Sequence, residues 1–159
     1  MNIHAKTVTS LHRGLTGFSL IELMIVVAVI SIIAAIGYPS YINSVVKTKR
    51  AAAEGCVSQY AGYMERFYTQ NLRYDKDTAG GNNPVVGKTN DNPPPPLVLD
   101  CAGPQNSGAD YDFSVAAATP STFTVTATPK GSQLSRDSSC AALSINQAGT
   151  KLPATGGCW

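Results

Sequence analysis

Residues 18–38, FSLIELMIVVAVISIIAAIGY, form an unbroken apolar run whose only charged side chain is Glu22. As an α-helix rising ~1.5 Å per residue, the run extends ~31 Å, about the hydrocarbon thickness of a bilayer. A helix in a soluble core buries one stripe and keeps a polar face, whereas this one is apolar all round. It is therefore read as a membrane-spanning segment. A carboxylate inside such a span costs ~2.5–3.5 kcal/mol at the centre and less near an end, so Glu22 marks a functional position.

Two processing routes fit the first forty residues. Residues 1–17 are polar and mildly basic, with Lys6 and Arg13 and no acid. A secretory signal would be cut at the small-x-small stretch Ala35-Ile36-Gly37, releasing a soluble chain from Tyr38. Cleavage after Gly17 would instead keep the apolar run. Glu22 favours the second route, because a carboxylate is a liability in a discarded signal and a tool in a retained helix.

The stretch Gly17-Phe18-Ser19-Leu20-Ile21-Glu22-Leu23 resembles the processing motif of type IV pilins and type II secretion pseudopilins. The resemblance implies cleavage between Gly17 and Phe18 by a prepilin peptidase at the cytoplasmic face. It also implies N-methylation of Phe18. Ser19 stands where threonine is usual, and the nearest basic residue, Arg13, lies away from the glycine. Cleavage after Gly14 would start the chain at Leu15 and misplace Glu22. In the family, Glu22 would pair with its own N-terminal ammonium or with that of a neighbouring Phe18. Such a pair offsets the cost of burying a carboxylate and fixes axial register. Charge gives no orientation: Lys6, Arg13 and the initiator amine precede the span, and Lys47, Lys49 and Arg50 follow it. The cytoplasmic N-terminus is carried by the motif alone.

Beyond the span, Pro39 removes one backbone hydrogen bond and is expected to kink or loosen the helix. Residues 40–71 read as an amphipathic helix, with Val45, Lys49, Ala52, Cys56, Tyr60, Tyr63 and Phe67 on one face. Lys47, Arg50, Glu54, Gln59 and Arg66 are assigned to the other face. Tyr60, Tyr63, Met64 and Phe67 are read as core, and Asn71 as the helix stop. Nearly half of residues 75–109 are Gly, Pro or Asn, which predicts a long irregular segment. Residues 93–96, four prolines, predict polyproline II. In the pilin family this segment meets neighbouring subunits.

The last third alternates as strands do. Residues 111–115 and 122–128 form a hairpin around Pro120, and residues 143–145 a third strand before a turn at 147–149. Phe113, Val115, Phe123, Val125, Leu143 and Ile145 make an apolar face for the Tyr60/Tyr63/Phe67 helix face. The fold class is α+β: one long helix on a small antiparallel sheet, the type IV pilin arrangement. The expected organisation is a leader over 1–17, a membrane or filament-core helix over 18–38, and a head over 39–159.

Cys56, Cys101, Cys140 and Cys158 include no CxxC pair, which counts against a zinc ribbon or redox motif. An even number in an exported chain suggests two disulfides. Three connectivities are possible. The preferred one is Cys140–Cys158, stapling the C-terminus to the sheet, with Cys56–Cys101 tying helix to loop. The C-terminal stretch CAALSINQAGTKLPATGGCW resembles the disulfide-bounded end of PilE-like minor pilins.

The chain is read as a minor structural subunit acting in pilus assembly or initiation, first in the inner membrane and then in the extracellular pilus. Its implied partners are other pilin subunits, the prepilin peptidase, the assembly machinery, and membrane lipid before assembly. No cofactor or metal is expected. A secretion pseudopilin is the alternative, but many of those hold calcium where this chain has Cys140 and Cys158, and Asp75 and Asp77 stand alone. A competence-type pilin binding DNA is the other, with Lys130, Arg136 and Lys151 as candidates. A formal charge of +2 is small for a dedicated nucleic-acid binder. An enzyme is disfavoured: His4 and His12 leave with the leader, and no nucleophile lies in a motif. Gly87-Lys88-Thr89 resembles a P-loop ending without its first glycine or its strand and helix.

Overall fold

The computed structural model describes residues 17–89, 91 and 94–159. His4, Lys6, His12, Arg13, the alternative cleavage point after Gly14, and Pro93 of the proline run lie outside those residues. The element order is helix α1 (Leu20–Asn71), strand β1 (Gly87–Lys88), two 3₁₀ turns (Asp100–Ala102 and Ser107–Ala109), β2 (Tyr111–Thr119), β3 (Thr122–Pro129), a short helix α2 (Gly131–Arg136), β4 (Leu143–Asn146) and β5 (Lys151–Leu152). Contacts divide the chain into two compact units, one ending at Ser40 and one spanning Tyr41–Trp159, called the head below.

In the first unit every residue from 17 to 40 is exposed. Helical assignment passes through Pro39 without interruption. The Ser31 hydroxyl donates to the Val27 carbonyl at 2.7 Å. That internal bond leaves the one hydroxyl in the middle of the run satisfied in apolar surroundings.

In the head, the five strands form an antiparallel meander in the order β1-β2-β3-β4-β5. Register places Phe113 opposite Ala127 and Val115 opposite Val125, and continues Val125 to Ile145. Pairing makes these share one face, and the alternate row Ser114, Thr126 and Ser144 share the other. The apolar face meets Ala53, Cys56, Val57, Tyr60 and Met64 of α1, all essentially inaccessible. The Tyr60 ring stacks on Phe113 at 6.1 Å, and Tyr74 meets Phe123 edge-on at 4.8 Å.

The buried helical row differs from the sequence reading over its first two turns. Val46, Arg50 and Ala53 point inward, while Ala52 is exposed and Lys49 is half-exposed. The predicted stripe was phased on Val45 and Phe67. The head instead takes up Arg50, because partners for its charge wait inside. The Arg50 Nε lies 3.1 Å from Asp137 Oδ2, an ion contact without straight hydrogen-bond geometry. Its other end donates to the Gly157 carbonyl at 2.6 Å and to Cys140 Sγ at 2.7 Å. Lys49 is paired with Asp110 at 2.6 Å. Tyr63 and Phe67, expected as core, are half-buried and stack on each other at 6.4 Å.

The segment 75–109 is ordered by side chains more than by strands. Asn71, the last residue of α1, accepts from Thr78 N–H and donates to Phe67. The Tyr60 hydroxyl accepts from Leu99 N–H at 3.1 Å. Gly108 permits the two 3₁₀ turns to touch, since a Cβ there would collide with the Ala102 carbonyl. Cys56 is bonded to Cys101, and Cys140 to Cys158. Gly87 and Lys88 lie in edge strand β1 and not in a phosphate loop.

Two outcomes follow from this packing. Arg50→Ala leaves the Asp137 carboxylate buried without its charge partner and is expected to cost ~3–5 kcal/mol. The double variant Arg50→Met with Asp137→Leu should cost clearly less, as read from urea unfolding of the detergent-solubilised chain. The second outcome concerns Tyr74 and Tyr111, whose hydroxyls are pushed up to about 12, mainly by burial. Beside Tyr74, Glu65 raises it further; beside Tyr111, Asp137 raises and Gln133 lowers it. A raised phenol is neutral when folded, so its contribution is complete below the unfolded value near ~10 and is lost as pH climbs through about 12. In an alkaline absorbance titration these two should ionise last, with the unfolding midpoint falling over that same window.

Candidate functional site

The first candidate site is the apolar segment itself. Its large side chains, from Phe18 to Ile36, are each about half exposed or more. A core helix of a soluble protein would bury such residues; among the described residues these are uncovered. Glu22 sits in the first turn of α1, where the free N–H groups favour negative charge. Leu23 N–H donates to the Ser19 carbonyl at 3.2 Å, so the helical bonding begins right after Phe18. Space around Gly17 is open, with no heavy atom near a built Cβ. The segment is long and apolar enough to cross a membrane.

The second candidate is cationic. Lys130, Arg136 and Lys151 come from two elements. Lys130 and Arg136 flank α2, and the Lys130 ammonium contacts Asp112 at 2.8 Å. Lys151 lies on β5 at the sheet edge, its ammonium 4.8 Å from the centre of the Trp159 ring. Glu54 of α1 feels both Arg50 and Lys151; burial nevertheless raises its carboxyl above the usual value. Sequence reasoning passed over Lys47, which is exposed beside the Val46 turn that α2 contacts. Its signal is the Lys47/Lys49/Arg50 cluster, read from sequence as flanking charge and as helix-face positions.

Asp75 and Asp77 are engaged in loop structure. The Arg73 guanidinium grips Asp75 through two bonds of 2.6 and 2.8 Å and holds its carboxyl below the ordinary range. Asp77 accepts from the N–H groups of Ala79 and Gly81. Among the described residues no group of three His, Cys, Asp or Glu is placed to hold a metal. On the open helix face, Arg66 lies 6.0 Å over the Tyr63 ring, beside Phe67 and Gln70.

Two family profiles match. Residues 13–38 match the prokaryotic N-terminal methylation motif, and residues 39–144 match the family described as type IV minor pilin ComP, DNA uptake sequence receptor. The chain is 40% identical over 58 residues to the type IV major pilin protein PilA of Myxococcus xanthus, covering 36% of this chain and 26% of that one. It is 36% identical over 63 residues to fimbrial protein EcpC of Eikenella corrodens, covering 40% and 41%. Against type II secretion system core protein G of Pseudomonas aeruginosa it is 31% identical over 83 residues, covering 52% and 58%. The matches thus span from a quarter to under two-thirds of the length of these relatives. A solved type IV pilin from Shewanella oneidensis aligns with TM-score 0.48 and 23% identity over 72% of this chain and 97% of that one.

Proposed function

Since the chain belongs to the type IV minor pilin ComP family, whose profile spans residues 39–144, we propose that it is a minor structural subunit of a type IV pilus. The observation that carries this reading is the bare apolar helix with one acid in its first turn. Its apolar part lies within the matched methylation motif, residues 13–38. The peptidase cuts between Gly17 and Phe18, and Phe18 becomes the N-methylated terminus. Residues 18–38 then hold the subunit in the inner membrane, with the head on the outer side. The assembly machinery moves that helix from lipid into a bundle of like helices, exchanging one apolar environment for another. This exchange has little hydrophobic driving force, so register rests on the polar pair of Glu22 with a neighbouring N-terminal ammonium. Pro39 is the point at which the helix yields during packing.

Intact-mass and N-terminal peptide analysis tests this, on membranes and on sheared filaments separately. The expected chain starts at methylated Phe18 and lacks four hydrogens for two disulfides. Glu22→Gln should be cleaved normally yet be depleted from the filament fraction. A soluble chain starting at Tyr38 overturns the reading.

A second reading is favoured by the family's description as a DNA uptake sequence receptor. Its chemistry would be phosphate contact with an aromatic surface nearby, and Lys151 over Trp159 is such a pair. Fluorescence anisotropy with duplex DNA should show affinity falling with salt, with a log–log slope of about −0.9 per phosphate contacted. Lys151→Gln should reduce that slope by about one contact. A slope unchanged in the variant removes Lys151 from the DNA surface.

A further inference from the structure

We propose that the end of the head formed by Lys47, Lys130 and Arg136, with Leu134 among them, docks on anionic phospholipid headgroups before assembly. This rests on the membrane-resident state proposed above. Helix α2 is fastened to α1 from within: Gln133 Nε2 donates to the Val46 carbonyl at 3.1 Å, and Asp137, four residues on, contacts Arg50. Gln133 and Asp137 are buried, so Ser132, Leu134, Ser135 and Arg136 face out. Leu134 is 53% exposed.

The charge here is uneven. Among the described residues, the acids near Lys49, Arg50 and Lys130 are Asp110, Asp112, Asp137 and, beside Arg50, Glu54. Asp110 contacts Lys49, Asp112 contacts Lys130, and Asp137 contacts Arg50. Lys47 and Arg136 have no ion-pair partner among the described residues, and the Lys130 side chain remains 42% exposed. Two cations without an ion-pair partner, on the elements that meet at Gln133, together with the exposed Leu134, match the composition of a surface resting at the headgroup level, where phosphate and apolar chain lie within a few ångströms. Chain length supplies the second argument. Lys47 follows Tyr38 by nine residues, so the backbone keeps it within ~30 Å of the end of the apolar segment in any conformation. Once that segment is in a bilayer, headgroups are at high local concentration, and each cation at an anionic surface favours contact about fivefold.

The full cleaved chain is placed in nanodiscs of phosphatidylcholine, alone or mixed with phosphatidylglycerol, and its lysines are acylated with a water-soluble amine reagent. Mass spectrometry reads the rate at each lysine. Lys47 and Lys130 should react about fivefold more slowly in the anionic discs, and the difference should vanish at about 1 M salt. Lys76 and Lys88, on the loop and on β1, should react alike in both discs. Arg136→Glu should abolish the protection of Lys130, with the Lys76 and Lys88 rates showing that the fold persists. Equal rates at Lys47 and Lys130 in both lipids, in a chain that co-elutes with the discs, overturn the docking surface alone. A chain that does not co-elute with either disc overturns the membrane-resident state as well. Protection by duplex DNA in neutral discs, without protection by anionic lipid, assigns the surface to nucleic acid and also overturns the proposal.

Discussion

The head is organised around one buried charge. Arg50 enters from the helix and is met by the Asp137 carboxylate, the Gly157 carbonyl and Cys140 Sγ. These belong to the residue after α2 and to both ends of the loop closed by the Cys140–Cys158 bond. Asp137 in turn accepts from Gln133 and Tyr111 at 3.1 and 3.4 Å, which brings β2 into the same network. A buried ion pair contributes little net stability against an apolar isostere. What it does impose is registry, because sliding α1 by one residue would leave a guanidinium and a carboxylate both buried and apart. The apolar contacts of Tyr60 and Met64 are tolerant of small shifts; the charge is not.

The apolar segment poses the opposite problem. Among the described residues it is uncovered, and the Ser31 hydroxyl is satisfied within the helix. Such a segment suits lipid or a bundle of its own kind equally well. The head carries its own core and two disulfides, while the apolar helix end is left uncovered among the described residues. Glu22 alone among its charged groups can tell one apolar environment from another, since it gains where a cation is supplied.

Residues with a strong local signal were legible in the sequence. The span, the helix end at Asn71, the hairpin around Pro120 and the strand at 143–146 all rest on period, composition or a turn residue. The phase of the helical row was not. Val45/Lys49/Ala52 and Val46/Arg50/Ala53 differ by one residue, and the hydrophobicity of the two rows is similar. What decides between them is Asp137, eighty-seven residues away, which no local window can see. Strand β1 and strand β5, two residues each, exist only because β2 and β4 offer them hydrogen bonds. Helix α2 is six residues with one exposed leucine, too short for a periodic signal. The cationic candidates differ in the same way. Lys130, Arg136 and Lys151 look alike in sequence, and only the folded chain sets two beside α2 and the third against a tryptophan.

The charge count around the span changes meaning once the head is folded. In the sequence, Lys47, Lys49 and Arg50 rival the cations of the leader, and orientation cannot be argued from the balance. In the folded head, Lys49 contacts Asp110, and Arg50 is buried against Asp137. Only Lys47 of the three remains a free, exposed charge. The other two act as attachments between helix and head, and the acids that receive them come from chain segments distant in sequence. A rule that counts flanking charges treats them as equal to the cations of residues 1–17, although in the folded head each is held by an acid. The run that balances the leader cations in sequence thus ties helix to head at Lys49 and Arg50, with Lys47 exposed and without an ion-pair partner among the described residues.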